Sequence, residues 1–294
     1  MSLVFFINFS HLRPMSELET YCAKQVRTYD YDRFLTSLFA PSTVREDLFA
    51  LFAFNHEVAK IREAVSEPML GEIRLQWWRE AIEGIYAGEP RNHEVVLPLS
   101  DAIHKHKLSK ELFLDIIDAR AADIYDENPQ TLDDFEIYLG ATSGNLMRLA
   151  ADITAPEDQN LSDLAYDMGV VWGLIGTIRS IRYHISLNKL SLPQDLMDEH
   201  GVRKRDIFSQ EQGDNISSLI KALCDAAKRH LNHIATEKKI ITKQTKTIFL
   251  LSALSRSYLN MIKKADYNPF KINEKASMFP RQCRLFFSAL LGLV

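Results

Sequence analysis

Two stretches of the chain concentrate side chains able to do chemistry. One runs Asn55-His56-Glu57-Val58-Ala59-Lys60-Ile61-Arg62-Glu63, the other Arg179-Ser180-Ile181-Arg182-Tyr183-His184. Lys60, Arg62, Arg179 and Arg182 make both strongly basic. Guanidinium forks bind phosphate-like anions directly, so one reading is an anion site with Tyr183 beside it. The other has Arg179 and Lys60 pair with Glu57 and Glu63 across facing helices and seal a closed core, because buried charges must be paired. His184 titrates near neutrality and suits a general base. It has no nucleophile or positioned partner at motif spacing, so a structural role is the expectation. Trp78 and Tyr138, with Trp77, Phe52 and Phe54, either line an apolar tunnel or pack as plain core.

These residues are expected on helices. Thr131-x-x-Asp134 and Ser16-x-x-Glu19 read as capping boxes, Ser66 stands before Pro68, and Ser109 opens a stretch with Leu112, Leu114, Ile116 and Ile117 at helical spacing. Gly and Pro fall between such stretches, as in Gly88-Glu89-Pro90, Glu127-Asn128-Pro129 and Ala155-Pro156-Glu157. The pattern predicts helices near 16–30, 32–39, 43–63, 67–87, 93–106, 110–125, 132–153, 161–186, 216–236, 241–265 and 277–291, with 188–214 irregular. No alternating run is long enough for a convincing strand. The expectation is one all-α domain over 16–294 behind a tail at 1–15.

Several segments, in order, carry a family resemblance. Asp32 to Pro41, Arg74-Leu75-Gln76-Trp77-Trp78-Arg79-Glu80, Tyr138 to Gly144, Tyr258-Leu259 and Asp266-Tyr267-Asn268-Pro269-Phe270 resemble the squalene/phytoene synthases. The resemblance implies the isoprenoid-synthase fold, a single-domain helical bundle with a central pocket. It also implies two Asp-x-x-x-Asp pairs, each on one helix face, that hold Mg²⁺ against a diphosphate. At the matching positions this chain has Ala59, Glu63, Ser180 and His184, and Glu63 alone is acidic. Where the family has a diphosphate-binding Ser stands Asp32, which when ionised only accepts hydrogen bonds and otherwise reads as a helix cap beside Arg33. Asn55-x-Glu57-x-Ala59-x-Ile61, Arg179-x-x-x-Tyr183-His184, Leu192-Pro193-x-Asp195 and His200-Gly201-Val202 resemble a branch of the family without the aspartates, which includes a mitochondrial complex I assembly factor. That resemblance implies no cofactor, no metal site, no catalytic residue, and membrane-complex subunits as partners, with an isoprenoid or lipid as ligand. The alternative is an active head-to-head prenyltransferase with a rearranged Mg²⁺ site.

Composition narrows the classes. A net charge of −4 over 294 residues gives no electrostatic case for nucleic acid. Cys22, Cys224 and Cys283 have no metal-type spacing and read as thiols in a reducing, cytoplasmic compartment. The apolar run Leu3–Phe9 lacks a basic start and a cleavage site, so no signal peptide is expected. The apolar end from Leu285, preceded by Arg281 and Arg284, is shorter than the about 20 residues of a membrane span. It is either a last helix packed on the body or a basic amphipathic end giving weak peripheral contact with the inner membrane.

Overall fold

The structure is a computed structural model and describes residues 19–65, 67–126, 128–155, 159–210, 213–242, 245–274 and 278–291. The expected tail at 1–15, Ser16, Ser66 and the last residues Leu293 and Val294 lie outside the described residues. No strand occurs among the described residues. The first half of the chain forms α1 (Tyr21–Tyr29), α2 (Tyr31–Ser37), α3 (Ser42–Ala59), α4 (Ile61–Ala64), α5 (Pro68–Tyr86), α6 (Val96–His106), α7 (Lys110–Ala119) and α8 (Ala121–Ile124). The second half forms α9 (Leu132–Leu139), α10 (Asn145–Thr154), α11 (Gln159–Ser186), α12 (Gln194–Glu199), α13 (Lys204–Phe208), α14 (Asp214–Thr236), α15 (Lys246–Phe249), α16 (Leu251–Lys264) and α17 (Met278–Leu291).

The site-bearing helices run through the buried interior. In α3 every residue from Leu48 to Phe54 is buried. In α11, Met168, Val170, Val171, Trp172, Leu174, Ile175 and Ile178 are buried on all sides of the helix. A helix apolar all round belongs in the centre of a domain, and α11 packs there against α10, α14 and α16. Thr131 and Asp134 form the expected capping box on α9, and Ser109 accepts from the Leu112 N–H to start α7. Asp30, rather than Asp32, caps α2 by accepting from the Arg33 N–H.

Three interruptions shape the centre. The helix expected over 43–63 breaks at Lys60, whose ψ of −11° turns the chain into α4. The helix over 110–125 breaks likewise at Arg120, and that over 132–153 contains a π-helical turn at Gly140–Gly144. That turn meets α11 backbone to backbone, since a Cβ on Gly169 would stand 2.2 Å from the Ser143 carbonyl oxygen. The 188–214 segment, expected irregular, contains α12 and α13; each has only one turn or so of helix, too short for the periodic signal.

The C-terminal helix is packed and exposed at once. Leu285, Ser288 and Arg281 are buried on the body, while Phe279, Phe286, Phe287, Leu290 and Leu291 are exposed. No helix of the described residues is long and apolar enough to cross a membrane.

Candidate functional site

Where α3 and α4 face α11, with α8 and α9 closing one side, the bundle encloses a cavity of about 260 Å³. Ala59, Arg62, Glu63, Tyr138, Ser180 and His184 all line it. Residues four apart on α11 share a face, and the Ser180 hydroxyl lies 3.4 Å from His184 Nδ1. Tyr183 reaches across the mouth, its hydroxyl donating to Glu63 Oε2 at 2.7 Å. The one acid among the four motif positions is thereby engaged by the opposite helix.

The cavity wall is basic. Arg62, buried, forks onto Asp126 Oδ1 from Nε at 3.2 Å and from a terminal nitrogen at 2.8 Å. Arg120 donates to Asp123 at 3.0 Å and to the Tyr138 hydroxyl at 2.8 Å, while that hydroxyl donates to Asp123 at 2.7 Å. Burial opposes the charge on Arg120, but Tyr138 and Asp123 outweigh it and raise its pKa. Burial chiefly raises the Tyr138 phenol, so it stays a donor. Arg33, 5% exposed, enters from α2 between the rings of Phe52 and Trp172, at 5.4 and 6.0 Å. It binds Asp30 at 2.7 Å and the Ser143 hydroxyl at 3.2 Å, and its Nε, like that of Arg120, is buried without a partner among the described residues. Burial, then the positive charge of Arg62, lowers the pKa of His184, so its imidazole is neutral at pH 7.

Other residues singled out in the sequence lie elsewhere. Lys60 pairs with Glu57 on its own helix and, with Trp77 and Trp78, lines a separate shallow cleft. Trp78 is 4% exposed and packs edge-on against Phe54 at 5.5 Å, as plain core. Arg179 stacks over Tyr258 at 3.9 Å and forks onto Glu274 with two contacts of 2.9 Å, with Asp32 at 3.5 Å. Its partners are therefore Glu274 and Asp32, not Glu57 or Glu63. Asp32 also accepts from the Tyr258 hydroxyl at 2.5 Å. Arg182 is exposed. Arg33, Arg120 and Asp123 were not singled out. The three-residue spacing of Arg120 and Asp123 is the signal that would have placed them on one face.

The donor set does not fit the Mg²⁺ that the family resemblance implies. The carboxylates on the cavity wall are Glu63 and Asp123, and each already accepts from a tyrosine or an arginine. Arg33, Arg62 and Arg120 add positive charge where a divalent cation would need several oxygen anions. Among the described residues no group of three or more His, Cys, Asp and Glu side chains could hold a metal ion.

The comparisons with known proteins agree with the bundle. The chain is 29% identical over 262 residues to complex I assembly factor 6 of Homo sapiens, covering 88% of this chain and 79% of that protein. It is 18% identical to a 15-cis-phytoene synthase of Synechocystis, over 85% and 77% of the two chains. A crystal structure of a dehydrosqualene synthase superimposes with a TM-score of 0.82 at 17% identity, over 93% of this chain and 95% of that one. The squalene synthase of Alicyclobacillus acidocaldarius gives 0.75 at 19%, over 84% and 94%. With the squalene/phytoene synthase family profile matching residues 26–285, the chain belongs to that family.

Proposed function

We propose that this protein is a non-catalytic member of the family that serves the assembly of respiratory complex I, and that its central cavity holds the anionic head of an isoprenoid or lipid without metal. The observation that carries this reading is the cavity wall, in which Arg33, Arg62 and Arg120, each held by one aspartate, stand around the space, with Nε of Arg33 and of Arg120 buried and without a partner among the described residues. Size supports it as well. About 260 Å³ lies below the roughly 300–1,000 Å³ of ordinary ligand pockets, which suits a headgroup and leaves no room for two prenyl chains. The mammalian relatives carry the complex I part of the proposal, since their names state that role. The reading places the protein in the cytoplasm, at the face of the inner membrane.

The test is deletion of the gene in its own cell. Native gels should then show loss of assembled complex I, restored by the wild-type gene, with the isoprenoid profile unchanged. Normal complex I together with loss of a squalene- or phytoene-type product would overturn the proposal in favour of a prenyltransferase.

A further inference from the structure

On α17, Arg281, Leu285 and Ser288 follow a four- and three-residue spacing and are buried, with the Arg281 guanidinium over the Tyr258 ring at 4.3 Å. At 3.6 residues per turn, Phe279, Phe286, Phe287 and Leu290 fall on the opposite side, with Leu291 at its border. They are between 51% and 74% exposed. Arg281, stacked and buried, is therefore not free to meet a lipid, whereas Arg284 is exposed at the border of the apolar face.

Beside this face runs an open cleft of about 940 Å³ whose lining includes buried Leu250 and Ala253 and exposed Phe39. Lys238, Lys239, Lys246, Arg256 and Arg284 line it, and no described carboxylate does. Lys246 donates to the Ala289 carbonyl, which ties the cleft to α17. Among the described residues no carboxylate pairs with Lys238, Lys239, Arg256 or Arg284, in a chain whose net charge is −4. Charge complementarity thus calls for an anionic partner, and the adjoining row of large apolar side chains calls for one with an apolar interior. A free phosphate meets only the first requirement. A second copy of the chain on this face would set the cationic rim against itself. An apolar helix face bordered by Lys and Arg is what an interfacial helix offers a membrane.

We propose that α17 and the adjoining cleft form a docking surface for an anionic lipid bilayer. Phe286, Phe287, Leu290 and Leu291 enter the boundary between headgroups and acyl chains, and Lys238, Lys239, Arg256 and Arg284 lie at the level of the phosphates. The surface is separate from the central cavity and does not rest on the function proposed for it.

The test is flotation of the full chain with vesicles of phosphatidylcholine and phosphatidylglycerol, against vesicles of phosphatidylcholine alone. The protein should float with the anionic vesicles only, and added salt should weaken the binding while equal ionic strength from inorganic phosphate does no more than chloride. Phe287→Asp with Leu290→Asp should lower partitioning about tenfold or more, as should Lys238→Glu, Lys239→Glu and Arg284→Glu together. Both sets change exposed side chains, so the melting temperature should hold, and the charge variant decides alone should the apolar one fail to fold. Failure of the full chain to float, or unchanged flotation of the folded variants, overturns the proposal. So does a dimer in sedimentation that Phe287→Asp dissociates in a chain that binds no vesicle.

Discussion

Arg120 shows how much of the cavity depends on single residues. It bridges Asp123 and the Tyr138 hydroxyl, and removing it leaves a half-buried carboxylate without its counter-charge. Breaking such a pair from one side costs about 3 kcal/mol or more. Arg120→Met should therefore lower unfolding stability in urea by about that much, whereas Tyr183→Phe, which removes an exposed contact to Glu63, should cost under about 1 kcal/mol. A loss for Arg120→Met no larger than for Tyr183→Phe would show that Asp123 finds solvent. The sequence pointed to Glu63, Ser180 and His184 because they hold positions of a known motif. It did not point to Arg33, because in the sequence this arginine is only the neighbour of Asp32, which reads as a helix cap. Only tertiary packing buries it between Phe52 and Trp172.

At the level of elements, α14 is stapled to α9 and α11 by histidines. His230 donates to Asp167 at 2.8 Å and faces Glu136 at 3.5 Å, while His233 meets Asp167 as well. The hydrogen bonds to Asp167 and Glu136 push the His230 pKa up to about 9. A raised folded-state pKa contributes stability that is complete below the unfolded value of about 6.5 and fades as pH rises through about 9. For this partly exposed group the contribution is on the order of 1–2 kcal/mol. His230→Gln should therefore melt well below wild type at neutral pH, and the gap should close as the pH is raised past the folded-state value. A gap independent of pH would mean packing and not charge joins the helices. The long amphipathic helices were legible from their periodicity and caps. The breaks at Lys60 and Arg120 and the π turn at Gly140–Gly144 were not: no Gly or Pro stands at either break, and the π turn sits where the backbone of Ser143 and Gly144 meets Gly169 of α11.

For the whole molecule, the all-α bundle followed from the sequence because helix signals recur along the chain and the family segments occur in order. What the chain does with its centre followed less fully: the motif positions were visible, but the arginines that define the cavity come from α2, α4 and the break before α8. Function in this reading is divided between that cavity and an exterior face, so truncating α17 would be a poor probe of either. Arg281 and Leu285 belong to the packed body, and deleting 281–294 should lower the melting temperature by more than 5 °C or so for a few kcal/mol lost. We propose that the cavity does not run metal-dependent diphosphate chemistry. Calorimetric titration of Mg²⁺ into the full chain, with and without farnesyl diphosphate, tests it most directly. The expected result is no saturable Mg²⁺-dependent heat at millimolar concentration and no released diphosphate. A saturable isotherm that requires both Mg²⁺ and farnesyl diphosphate, accompanied by diphosphate release, would contradict it.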